Sequence, residues 1–127
     1  MSERWILGDL RNAVNQLESA LQVQPSSDLI RAGCIQYFEF CFELAWKAIK
    51  IISDGQGLPD CVSPKACLKQ AFSHGWLENE DIWLAMLDVR NRMSHTYNAK
   101  DALTIYDSLR DFVVPLKDLS AHLDAVD

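Results

Sequence analysis

One segment concentrates side chains able to do chemistry: Asp88-Val89-Arg90-Asn91-Arg92-Met93-Ser94-His95-Thr96-Tyr97-Asn98. Between Arg90 and Lys100 lie three basic residues, one histidine and no acid, in a chain whose formal charge is −6. Arginine offers a planar fork of N–H donors suited to phosphate oxygens. Histidine is the side chain best able to move a proton near neutral pH. Thr96 and Tyr97 add hydroxyls. Asn91 and His95 are four apart, so on a continuing helix they meet on one face and the amide can fix the imidazole tautomer. Arg90 and His95 are five apart, about 140° around a regular helix, so only the long arginine stem or a break in the helix brings both to one point. The competing explanation is a helix end whose arginines pair with Asp88 or another acid and whose histidine meets the last carbonyls.

Other chemistries find little support. Gly55 and Gly57 follow a helical pattern and lack the Lys-Ser/Thr that completes a phosphate loop. No G-x-S-x-G elbow is present. His74, His95 and His122 are scattered, and Cys34, Cys41, Cys61 and Cys67 contain no CxxC pair, so neither a metal site nor a cofactor is expected. Acidic residues outnumber basic ones by 18 to 12, and this lacks the general basic footprint of a non-specific nucleic-acid binder. Cys34 and Cys41 share a helical face and read as core thiols; a disulfide framework is not expected, and a reducing, cytoplasmic setting is. The most apolar stretch, Ile35 to Ile52, is interrupted by Glu39, Glu43, Lys47 and Lys50, and the N-terminus has no apolar signal core, so no membrane segment is expected.

The elements that must position the segment read as helices throughout, because apolar residues recur with helical spacing and nowhere alternate. Trp5, Leu10, Val14, Leu17 and Leu21 form one amphipathic stripe. Asp28 is the expected N-cap of a second helix to Ser53, stopped by Asp54-Gly55-Gln56-Gly57. Ser63-Pro64 opens a short helix ending at His74-Gly75, and Asn79 with Glu80 and Asp81 opens one that runs to about Ser94. Asn98 caps a last helix, within which Pro115 is expected to cause a kink or interruption. The expectation is a single all-α domain over residues 1–127: an antiparallel up-down four-helix bundle with one additional short helix. In the second helix Gln36, Glu39, Glu43, Lys47 and Lys50 make one narrow polar stripe, and nearly everything else is apolar. A surface helix needs only about 100° of apolar face, so this one lies centrally or packs against another chain, and a homodimer or a partner contact is the favoured explanation. Glu43 and Lys47, four apart, read as a solvated ion pair.

At the chemical segment the chain resembles a known family. Arg90-x4-His95-x-Tyr97 is similar to the R-x4-6-H motif of the HEPN superfamily, in the R-x4-H-x-Y form of its toxin members. The string Arg90 to Asn98 resembles the "RN..SHTYN" block of the nucleotidyltransferase substrate-binding proteins. Phe38 to Lys47 is similar to their "FE..FELAWK" block, and Ser63 to Phe72 to a third element. R-x4-H alone is a weak signal; three blocks in order over most of the chain are a specific one. The resemblance implies a dimerising helical bundle whose partner is a separate minimal nucleotidyltransferase encoded nearby. It further implies that Arg90, Asn91 and His95 form a metal-independent ribonuclease centre across the dimer. In the toxin–antitoxin version it implies AMP transfer to Tyr97, which silences the enzyme. Arg92, Thr96 and Lys100 are the accompanying candidates for holding phosphate or nucleotide.

The residues themselves are compatible with this. Metal-free RNA cleavage needs a base for the 2′-hydroxyl, an acid for the leaving 5′-oxygen and a cation for the developing phosphate charge. A symmetric dimer offers two His95 and two Arg90. Two readings stay open: a ribonuclease toxin acting on RNA, or a non-catalytic subunit that binds substrate or nucleotide for the nucleotidyltransferase.

Overall fold

The computed structural model describes residues 5–95 and 98–126, and these form helices with no strand. In chain order they are α1 (Trp5–Leu21), α2 (Asp28–Gly55), α3 (Pro64–Ser73), α4 (Glu80–Met93), α5 (Ala99–Ser108) and α6 (Val113–Val126), with a 3-10 turn over Leu109–Phe112 joining the last two. The caps follow the local chemistry. Ser63 Oγ accepts from the Ala66 N–H at 3.2 Å, and Pro64 occupies the first turn, where its missing donor is no loss. Asn79 Oδ1 accepts from Ile82 at 3.2 Å, and Asn98 Oδ1 from Asp101 at 2.9 Å. Each such cap is worth about 1 kcal/mol. At α2 the expected cap shifts by one residue: Ser27 Oγ accepts from Ile30 at 3.3 Å, while Asp28 becomes the first helical residue and bonds Arg31 at 3.1 Å.

α2 runs through the middle of the bundle and packs against all five other helices. Phe38, Cys41, Phe42, Ala45, Ala48 and Ile49 are completely buried, which accounts for most of its apolar circumference. The polar stripe from Gln36 to Lys50 is its outer edge. Leu29 and Phe40 remain outside the core, 82% and 47% exposed. In α1, Leu10, Val14 and Leu17 enter the core as the stripe predicts, whereas Trp5 begins the helix 63% exposed.

The expected last helix is two helices. Pro115 has no N–H to give the Asp111 carbonyl, and its ring crowds that oxygen. The chain tightens into the 3-10 turn one turn earlier and resumes as α6. The turn is not a loose joint, because Leu109 and Phe112 are buried and the Phe112 ring lies 5.3 Å from that of Phe38.

The cysteines require one correction. Cys34 and Cys41 are free and buried, as expected of core thiols, but Cys61 and Cys67 form a disulfide with Cα atoms 5.0 Å apart. It is one local bridge, not a framework. The loop before α3 folds back on that helix, where Gln70 Nε2 donates to the Pro59 carbonyl at 3.0 Å, and is tied to α2 by Lys50 Nζ, which donates to the Cys61 carbonyl at 2.9 Å. A spacing of six residues carries no signal of that return, and the cysteine argument for a reducing compartment lapses with it. Burial raises the Cys34 thiol and pushes Cys41 up to about 12. Near pH 8 almost no thiolate is then available at Cys41 in the folded state, and the thiolate is the reactive species. A thiol reagent is expected to leave both residues unlabelled until the protein is unfolded. Prompt labelling of Cys41 in folded protein would contradict the packing of α2.

Candidate functional site

The last turn of α4 brings Arg90 across to the polar stripe of α2. Arg90 Nε donates to Glu43 Oε1 at 3.0 Å, and Nη2 lies 2.8 Å from the same oxygen in the ion pair. Trp46, one turn along α2, donates its indole N–H to Glu43 Oε2 at 3.0 Å. Both oxygens of Glu43 are therefore engaged, and Glu43 forms this bridge between helices in place of the surface pair expected with Lys47. Lys47 Nζ instead lies 5.9 Å from the centre of the Trp46 ring. Arg90 and Glu43 keep 33% and 27% of their side-chain surface exposed. An ion pair this open contributes at most about 1 kcal/mol to stability after solvent screening. Its main consequence is orientation.

Arg90 and Glu43 line an open cleft of about 570 Å³ between α2, the end of α4 and α5. Gln36 and Glu39 of the same α2 stripe enter its wall, with Ile35, Met93 and Ile105 as apolar neighbours. Asn91 and Ser94 line it on the α4 side. Arg90 Nη1 approaches Asn91 Oδ1 at 3.4 Å, and Ser94 Oγ donates to the Asn91 carbonyl at 3.0 Å.

His95 stands beyond the helix. α4 ends at Met93, Ser94 caps it, and the His95 backbone N–H closes the turn on the Arg92 carbonyl at 2.9 Å. The break supplies one of the two conditions under which Arg90 and His95 can share a site. It also overturns the expected helical pairing of Asn91 with His95, whose premise was a continuing helix; the Asn91 amide oxygen faces Arg90 instead. The His95 side chain is exposed. Arg92 is turned to Asp88, with Nη1 3.4 Å from Oδ2. Lys100 is exposed in the first turn of α5, where its carbonyl accepts from Thr104 Oγ1 at 3.1 Å. Thr96 and Tyr97 lie outside the described residues.

The expected positive island is thus balanced by acids, two from α2 and one from the preceding turn of α4, as the competing explanation had it for Asp88. Glu43 faces Arg90, Glu39 shares its cleft, and Asp88 takes Arg92. Sequence reading missed Gln36, Glu39, Glu43 and Trp46 as site residues. The available signal was the narrow polar stripe on an otherwise apolar helix, which here opens onto a cleft as well as onto solvent. Elsewhere, His122 Nε2 lies 3.2 Å from Glu78 Oε1, near the opposite end of α4 from Arg90. Among the described residues no group of three or more His, Cys, Asp or Glu is placed to hold a metal ion. No helix there is long and apolar enough to cross a membrane.

Fold and cleft together define an all-helical bundle with an arginine-walled cleft where its second and fourth helices meet. A family profile described as "Nucleotidyltransferase substrate binding protein like" matches residues 6–125. The chain belongs to this nucleotidyltransferase substrate-binding family. It is 35% identical over 98 residues to a Haemophilus influenzae protein named probable ribonuclease HepT, covering 72% of this chain and 67% of that one. A solved Haemophilus influenzae structure, described as revealing the fold of a substrate-binding domain of a nucleotidyltransferase, superposes with a TM-score of 0.81 at 29% identity. The match covers 93% of this chain and 98% of that one. A Thermus thermophilus structure gives the same score and identity over 90% and 98% of the two chains.

Proposed function

We propose that this protein is a metal-independent endoribonuclease of the HEPN type, the toxin partner of a minimal nucleotidyltransferase that silences it by transferring AMP to Tyr97. The observation that carries the reading is Arg90: a guanidinium held at the wall of an open cleft by Glu43, beside Asn91, with His95 in an exposed turn five residues on. The relative named a probable ribonuclease supports the same class.

In this reading two copies of the chain bring their motifs together. One His95 takes the proton of the RNA 2′-hydroxyl, whose oxygen attacks the adjacent phosphorus. The bond to the 5′-oxygen breaks, and the second His95 protonates that oxygen as it leaves. The products are a 2′,3′-cyclic phosphate and a free 5′-hydroxyl. Arg90 stabilises the charge gathering on the non-bridging oxygens, and Arg92, Thr96 and Lys100 hold flanking phosphates. AMP on Tyr97, two residues from His95, adds bulk and negative charge where RNA must enter.

The test is RNA cleavage in EDTA by protein whose intact mass shows no modification. Wild-type cleavage that releases cyclic phosphate ends is expected. A second reading, a non-catalytic substrate-binding subunit, draws on the carboxylates of Glu39 and Glu43 in the cleft, which oppose entry of long RNA. The partner separates the two. Incubation with the nucleotidyltransferase and ATP is expected to add AMP-sized mass to the wild type and none to Tyr97→Phe. An unchanged mass with an active partner, together with nucleotide binding by the pair, would favour the second reading.

A further inference from the structure

We infer that Glu43, itself anchored by Trp46, is the positioning residue for Arg90, fixing which edge of its guanidinium is offered to a phosphate. This rests on the ribonuclease reading of the cleft and goes beyond it, because neither Glu43 nor Trp46 belongs to the R-x4-H-x-Y motif.

A guanidinium carries five N–H groups in a fixed plane. Glu43 Oε1 accepts from Nε–H and sits 2.8 Å from Nη2, so it occupies the lateral edge of the group. What remains is the terminal edge, with one hydrogen each from Nη2 and Nη1, and the other Nη1 hydrogen on the Cδ side; Nη1 is directed loosely at Asn91 Oδ1, 3.4 Å away. Two parallel N–H groups on that edge match two oxygens of one phosphate. Without Glu43 the side chain can swivel and present either edge. Glu43 could swivel in turn, but its other oxygen is held by the Trp46 indole N–H at 3.0 Å. Trp46 and Glu43 lie on one helix a turn apart, and Arg90 reaches them from another, so the chain of contacts ties the motif to the central helix of the fold.

The carboxylate also repels phosphate, and this separates positioning from binding. Removing its charge should leave RNA binding unchanged or tighter while slowing the chemical step. A 1 Å misplacement of a reacting group can lower a rate by about 10²-fold.

The experiment compares wild type, Glu43→Gln, Trp46→Phe and Arg90→Ala in one RNA-cleavage assay, with melting curves to verify folding. Glu43→Gln is expected to lower kcat about ten- to a hundred-fold with KM unchanged or reduced, and Trp46→Phe to lower kcat by a smaller factor without raising KM. A second readout follows the Arg90 Nε–H by NMR: its exchange with solvent is expected to be slow in wild type and faster in both Glu43→Gln and Trp46→Phe. A merely structural role would lower the melting temperature and leave kcat per folded molecule alone. A kcat for folded Glu43→Gln within twofold of wild type, where Arg90→Ala is inactive, overturns the inference and spares the ribonuclease reading. Absence of cleavage by unmodified wild type overturns both.

Discussion

His95→Ala is expected to lower metal-independent RNA cleavage by about 10²–10⁴-fold, the range supplied by a positioned general acid or base. The loss belongs at the upper end if both proton transfers use this residue, one copy from each protomer. Arg90→Ala is expected to cost about 10²–10³-fold, as loss of a donor to developing phosphate charge does elsewhere. The fold should survive both changes. His95 is exposed beyond the end of α4, and the Arg90–Glu43 pair is open enough that its removal costs about 1 kcal/mol or less. Cleavage in EDTA, read beside circular dichroism and the melting temperature, checks both expectations. Full activity in either folded variant would remove that residue from the chemistry, and full activity in both would end the ribonuclease assignment of the cleft.

The largest effect on stability is expected at Phe38. Its ring is fully buried in the central helix, with centroids 6.2 Å from Phe42 and 5.3 Å from Phe112. It therefore joins α2 to the 3-10 turn that carries the chain around Pro115. Phe38→Ala should destabilise the protein by about 3–5 kcal/mol, through lost burial and the cavity left behind. In a chain of this length that lowers the melting temperature by roughly 10 °C or more. Phe40, two residues along, is the control: it is 47% exposed, and Phe40→Ala should change stability by about 1 kcal/mol or less. Denaturant titration of the two variants makes the comparison, and equal losses would place Phe40 in a contact outside the single chain.

The helices and their caps were legible because they are local. Ser63-Pro64, Asn79 and Asn98 satisfy backbone donors within three residues of themselves, so side-chain type at one position nearly decides the outcome. Pro115 was legible for the same reason, though its consequence appears a turn upstream, at the carbonyl it crowds. The motif was legible as a string. The expected pairing of Asn91 with His95 was not correct, because α4 ends before the second residue and the amide oxygen turns to Arg90. The Cys61–Cys67 bridge escaped notice because it depends on a loop returning to α3 under the hold of Lys50 and Gln70.

Local chemistry sets the helical class, the places where most helices begin, the wide apolar face of α2 and the run of residues that holds Arg90, Asn91 and His95. These follow from periodicity, capping and residue chemistry over a few neighbouring positions. What faces Arg90 depends on contacts between distant parts of the chain. Glu43 lies 47 residues away along the chain, and no local pattern connects two positions at that distance. They meet because the apolar faces of α2 and α4 are buried in one core, which sets the two helices side by side and leaves the polar edge of one opposite the basic end of the other. A basic segment in an acidic chain thereby became an arginine held in place by a carboxylate, at the wall of a cleft that neither helix could form alone.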